Sequence, residues 1–240
     1  MGKYSNHQRI GRRHLLKVGA ASALMMGLGR PSWSVQAADD AATTLTPDEA
    51  IARLIAGNET FVSHPDLCAI ELEDQRTAVA GHQSPWATII SCADSRVPPE
   101  LIFGGHGLGE LFVARNAGNL VDTATLGTVE YGAAVLGSPL IVVLAHTRCG
   151  AVHAACEIVT ANARYPGAIG PMIEPIVPAA IAVQNDPGNF FNNTAKESAL
   201  RTKHRLTVAS SLIAGMVDEG KVKIIAAIYD LETGIVTPLD

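Results

Sequence analysis

The chain has 240 residues, 48% of them apolar and only 5% aromatic, enough to bury a full core in one domain. Its formal charge is −5, and residues 1–37 contribute six bases (Lys3, Arg9, Arg12, Arg13, Lys17, Arg30) and no acid. Without them 12 Lys and Arg face 23 Asp and Glu, a charge of −11, which excludes nucleic acid or an anionic membrane as partners through a general field.

Those first 37 residues read as a twin-arginine signal peptide. Gly11-Arg12-Arg13-His14-Leu15-Leu16-Lys17 precedes an apolar stretch, Val18 to Gly29, too short to span a bilayer. Val35-Gln36-Ala37 then offers small residues for cleavage before Ala38. The expectation is a periplasmic protein exported in its folded state, with residues 38–240 as the mature domain. No later stretch reads as a membrane span, because Glu130 and Ser138-Pro139 interrupt the longest apolar region.

Thr46-Pro47-Asp48-Glu49 is a capping box with proline at the first helical position, so a helix begins there. A second short helix is predicted over 71–80. The apolar run Trp86–Ser91 predicts a buried strand, followed by a Pro98-Pro99 turn and a short helix through Leu101–Phe103. Gly104-Gly105-His106-Gly107-Leu108-Gly109 does not complete a dinucleotide or phosphate-loop pattern and reads as a loop. Residues 110–115 predict a second strand, 123–136 a helix, 140–145 a strongly apolar strand and 149–160 a helix. Residues 161–175 carry Gly and Pro and read as irregular. Helices are predicted near 176–184 and, as one long element, over 196–219. A strand over 222–229 and a small edge strand over 234–238 complete the chain. Strands alternating with helices, the central ones apolar throughout, imply an α/β fold with a mostly parallel sheet covered on both faces.

Ligands of such sheets gather at the carboxyl ends of the strands. Two motifs fall there: Cys92-Ala93-Asp94-Ser95-Arg96 and His146-Thr147-Arg148-Cys149-Gly150. Either alone fits a structural histidine and inert thiols. Together, at successive strand ends, they point to Cys92, His146 and Cys149 around one metal ion. Two thiolates and an imidazole suit zinc, and three protein ligands leave a fourth position open, as in a catalytic site. Asp94 would block that position unless a cation held it off, which Arg96 can do through a bidentate pair. Asp94 could then accept a hydrogen bond from a metal-bound hydroxide and aim it. Cys68 and Cys156 have no such chemistry beside them and are expected to be small buried apolar residues rather than a disulfide.

These motifs resemble the β-class carbonic anhydrases, from about Thr46 to the end of the chain. The resemblance implies one zinc per subunit on Cys92, His146 and Cys149, with Asp94 and Arg96 as the gating pair. It implies reversible hydration of carbon dioxide to bicarbonate and a proton by a zinc-bound hydroxide. It also implies a homodimer or higher even oligomer, with active clefts at the subunit interface and the first helix as an exchanged arm. Gln83 resembles the family's substrate-side glutamine, and Phe112 and Tyr131 its aromatic lining. Ala117 stands where plant-like members carry valine. Bicarbonate-regulated members have tryptophan where this chain has Ile89, so no such regulatory pocket is expected. His82, His106 and His153 are open alternatives for the proton shuttle. A carbon disulfide or carbonyl sulfide hydrolase on the same site, and a non-catalytic periplasmic zinc-binding protein, are the rival readings.

Overall fold

The structure, a computed structural model, describes residues 42–68, 72–105 and 107–239. The expected signal peptide and its cleavage point lie outside the described residues. Among the described residues, no helix is long and apolar enough to cross a membrane.

Helix α1, Pro47–Ser63, starts on the capping box: the Glu49 N–H donates to Thr46 Oγ1, and the Thr46 N–H donates to Glu49 Oε2 at 2.8 Å. A 3-10 turn, Pro65–Cys68, and α2, Leu72–Ala78, follow. The chain then alternates: β1 Ala87–Cys92, α3 Pro99–Ile102, β2 Leu111–Asn116, α4 Thr123–Ala134, β3 Leu140–His146, α5 Gly150–Ala161. After α6, Ile169–Ile173, and α7, Val177–Val183, come α8, Phe190–Ala209, α9, Ser211–Asp218, β4, Lys223–Tyr229, and β5, Val236–Leu239. The sheet order is β2-β1-β3-β4-β5, parallel except for the antiparallel β5.

Every residue of β1 and β3 is buried, and alternate residues feed opposite faces. Ile90, Ile141, Val143 and Ala145 join α5, α7 and α8 in one core cluster. Ile89, Leu140, Val142 and Leu144 join α1 and α3 in the other. Each of the Ile, Leu and Val side chains among them contributes roughly 1.5–3 kcal/mol of burial free energy. Helix α1, expected from the resemblance as an arm, lies on its own chain's sheet with Ala50 and Leu54 buried. There Asn58 donates to the carbonyls of Ile102 and Gly234 and accepts from the Val236 N–H.

Two stretches depart from the sequence reading. Residues 161–175 are not wholly irregular: α6 and a 3-10 turn, Glu174–Ile176, run straight into α7, because Ile173 and Ile176 are buried against the core. The expected long helix over 196–219 is two. It starts earlier, where Asn189 caps α8 by accepting from the Asn192 N–H, and breaks at Ser210. Ser210 leaves helical backbone (φ −126°, ψ 109°), its Oγ accepting from the Ile213 N–H and donating to Glu130.

Candidate metal centre

Cys92 is the last residue of β1, His146 the last of β3, and Cys149 the residue preceding α5. The parallel sheet therefore brings to one end two residues 54 positions apart in sequence. Cys149 returns to them because Arg148 takes a left-handed backbone (φ 57°), turning the chain within three residues. That turn is anchored on the end of β4: the Thr147 N–H donates to Tyr229 O, and Thr147 Oγ1 accepts from the Leu231 N–H.

The Cys92 and Cys149 sulfurs and a ring nitrogen of His146 all lie within 4.8 Å of one another, and all three residues are buried. Sulfur to sulfur is 3.9 Å. Two thiolates each about 2.3 Å from a tetrahedral zinc would stand roughly 3.8 Å apart, so the spacing fits that ion. The His146 ring supplies a second sign. Its Nδ1 donates to the Thr147 carbonyl at 2.9 Å, leaving Nε2 as a buried acceptor without a hydrogen-bond partner. A fully buried nitrogen lone pair aimed at two sulfurs is a metal-ligating arrangement.

The electrostatics of these residues follow from the same contacts. A hydrogen bond from the Cys149 thiol, aided by the Gly118 N–H at 3.4 Å, holds the Cys92 sulfur well below the usual thiol range although burial opposes it. Cys149, the donor in that bond and buried beside the Cys92 charge, is pushed up. Asp94 lies just outside the three ligands, its Oδ2 4.0 Å from His146 Nε2. Arg96 grips it with Nε on Oδ1 at 2.9 Å, Nη2 on Oδ2 at 2.7 Å and its backbone N–H on Oδ1 at 3.0 Å. Those bonds hold the Asp94 carboxyl well below the usual carboxylate range.

The remaining sequence candidates divide by position. Ala117 sits at the carboxyl end of β2, beside Gly118, against the core cluster that contains Cys92 and Cys149. Gln83, exposed, precedes β1, and Phe112 pairs with Thr88, four residues upstream of Cys92. At about 3.3 Å per residue that places the Phe112 backbone roughly 13 Å back along the strands. Tyr131, 49% exposed, meets Phe112 with ring centroids 6.0 Å apart. Within one chain, then, Gln83, Phe112 and Tyr131 are not brought to the three ligands. His153 stacks on Phe191 at 3.8 Å, His82 precedes β1 in exposed chain, and His106 lies outside the described residues. Cys156 is buried beside Thr194, while the side chain of Cys68 is outside the described set.

Two residues that shape the site carried no readable sequence signal. Gly118, at φ 89°, puts its N–H on the Cys92 sulfur, and a Cβ there would stand 2.8 Å from Ile176 Cδ1 and 3.3 Å from Ala151 Cβ. Arg115 reaches from β2 to the main-chain carbonyls of Cys92 and Asp94. The Ala-Arg-Asn-Ala-Gly run that holds both was visible, but nothing in one sequence links it to a motif 22 residues earlier.

Residues 87–236 match the family model described as carbonic anhydrase. Carbonic anhydrase 2 of Mycobacterium tuberculosis is 36% identical over 178 residues, 74% of this chain and 86% of that protein. A carbonic anhydrase of Pseudomonas aeruginosa is 32% identical over 174 residues, 68% of this chain and 77% of its own. Among solved structures, a β-carbonic anhydrase of Coccomyxa in complex with acetazolamide is 25% identical with a TM-score of 0.61, covering 79% of this chain and 86% of that one. A structure from a study of two tetrameric β-carbonic anhydrases of Sordaria macrospora shares the fold at 24% identity, with a TM-score of 0.61 over 68% of this chain and 84% of that one. With the family model matched over more than half its length and relatives aligned over most of theirs, the chain belongs to the β-carbonic anhydrase family.

Proposed function

We propose that this enzyme hydrates carbon dioxide reversibly to bicarbonate and a proton at a zinc ion held by Cys92, His146 and Cys149. The observation that carries the reading is the buried convergence of those three ligand atoms, with His146 Nε2 left without a hydrogen-bond partner. When bound, zinc supplies the Lewis acidity that makes water a nucleophile near neutral pH.

The protein's own groups then do the orienting. Asp94, ionised and pinned by Arg96, is acceptor-only, so it takes a hydrogen bond from the attacking water and turns a lone pair toward carbon dioxide. Arg96 also keeps that carboxylate from closing the fourth coordination position. Ala117 gives the small apolar contact at the rim that carbon dioxide needs. Gln83, Phe112 and Tyr131 reach a substrate only if they serve the site of a second copy, and we assign them that role in a homodimer or higher even oligomer. Relatives named carbonic anhydrase support carbon dioxide over its sulfur analogues.

Asp94→Ala tests the mechanism. It should retain zinc while hydration falls on the order of 100-fold, the scale of a lost proton-handling group. Full hydration in a zinc-loaded Asp94→Ala protein would overturn the role of Asp94. Faster turnover of carbon disulfide or carbonyl sulfide than of carbon dioxide by the wild-type protein would overturn the substrate.

A further inference from the structure

We propose that Arg115 is a positioning residue for Asp94, holding the main chain of the carboxylate as Arg96 holds its side chain. The proposal rests on the role given to Asp94 above. Arg115 stands on β2 opposite Ser91, on the strand face shared with Leu111 and Val113. Its guanidinium extends past the end of β1, where Nε donates to the Cys92 carbonyl at 2.9 Å and Nη2 to the Asp94 carbonyl at 2.7 Å.

Both acceptors matter. The β1–β3 pairing ends at Ser91, so the Cys92 carbonyl lies just past that ladder, and Arg115 supplies a donor there. The Asp94 carbonyl also accepts from the Val97 N–H at 3.0 Å, closing the turn that carries Arg96. Between them the Ala93 N–H donates to Asn116 O at 3.0 Å. The stretch from metal ligand to carboxylate is thus tied to β2 at three points, two of them through one side chain. Arg115 has no ion-pair partner among the described residues, so its fork is spent on those two carbonyls. A lysine, a point charge on a flexible stem, does not reproduce the rigid fork that places Nε on one carbonyl and Nη2 on the other. Loosening this clamp leaves the zinc ligands in place but lets Asp94 drift, and a displacement of about 1 Å at a reacting group can cost on the order of 100-fold.

The test compares zinc-loaded Arg115→Met and Arg115→Lys, each in the wild-type and Asp94→Asn backgrounds. Three quantities are read: zinc content, amide hydrogen exchange of residues 93–97 in the metal-free proteins, and carbon dioxide hydration. Arg115→Met should keep its zinc, exchange faster at 93–97 but not across β3 and β4, and lose roughly 10- to 100-fold in kcat/KM. In Asp94→Asn the same substitution should cost no more than about twofold, because coupled residues are not additive. Arg115→Lys should recover part of the loss, and it carries the comparison if Arg115→Met does not fold. Wild-type hydration by Arg115→Met, or an equal loss in both backgrounds, overturns the proposal alone. Wild-type hydration by Asp94→Asn itself overturns the Asp94 role, and the proposal with it.

Discussion

Cys92 and Cys149 set each other's protonation through the hydrogen bond they share. Cys92 has a folded pKa below its unfolded value of about 8.5, so its contribution to metal-free stability is present above that value and lost as pH falls through the folded one. Cys149 is shifted the other way, so its contribution is present below about 8.5 and lost as pH rises through the folded value. Metal-free protein at about pH 6 should therefore carry one thiolate, visible by ultraviolet absorbance and removed by Cys92→Ser. Absence of thiolate at that pH, or two thiolates, would contradict the hydrogen-bonded pair. Asp94, depressed by Arg96, stays charged until pH falls below the usual carboxylate range, so it adds no inflection near neutrality. At this scale the sequence was highly legible: Cys92, Asp94, Arg96, His146 and Cys149 sit in two compact motifs whose spacing already implied convergence. Arg115 and Gly118 were not, because their partners are backbone atoms and a neighbour's sulfur, which side-chain identity does not encode.

At the scale of elements, β1 to β4 match their expected bounds within a residue and β5 within two, because the central strands are mostly apolar. The α8–α9 break was missed although Ser210-Ser211 marks it, since the apolar period continues on both sides and only the cap at Ser210 shows the turn. The loop after β2 is tightly packed at Gly118. Gly118→Ala meets a positive φ and a buried Ile176, so it should destabilise the protein by about 2 kcal/mol in denaturant unfolding and weaken zinc retention by shifting the residue 118 N–H off the Cys92 sulfur. An unchanged midpoint and unchanged zinc would mean that the loop relaxes freely.

For the whole molecule, the half-buried edge strand β2, exposed Tyr131 beside Phe112, and Gln83 form a surface that the chain's own site does not use. Under the proposal above, a second copy across that edge would receive Gln83, Phe112 and Tyr131 at its own site. Tyr131→Arg should shift the protein toward monomer in sedimentation and lower hydration together, whereas an active Tyr131→Arg monomer would contradict the shared site. Export by the twin-arginine route is a separate proposal, and Arg12→Lys with Arg13→Lys should leave the precursor uncleaved in the cytoplasm; unaltered processing would dismiss it. Assembly is an expectation from resemblance alone, because neither motif nor periodicity in one chain names what faces an edge.

The most direct measurement is stopped-flow carbon dioxide hydration by the purified protein, paired with metal analysis before chelation, after chelation and after readdition of zinc. Hydration should track zinc at one ion per chain, vanish with its removal and return when it is restored. Hydration that persists without zinc, or a fully zinc-loaded protein that leaves carbon dioxide unhydrated, would contradict the assignment.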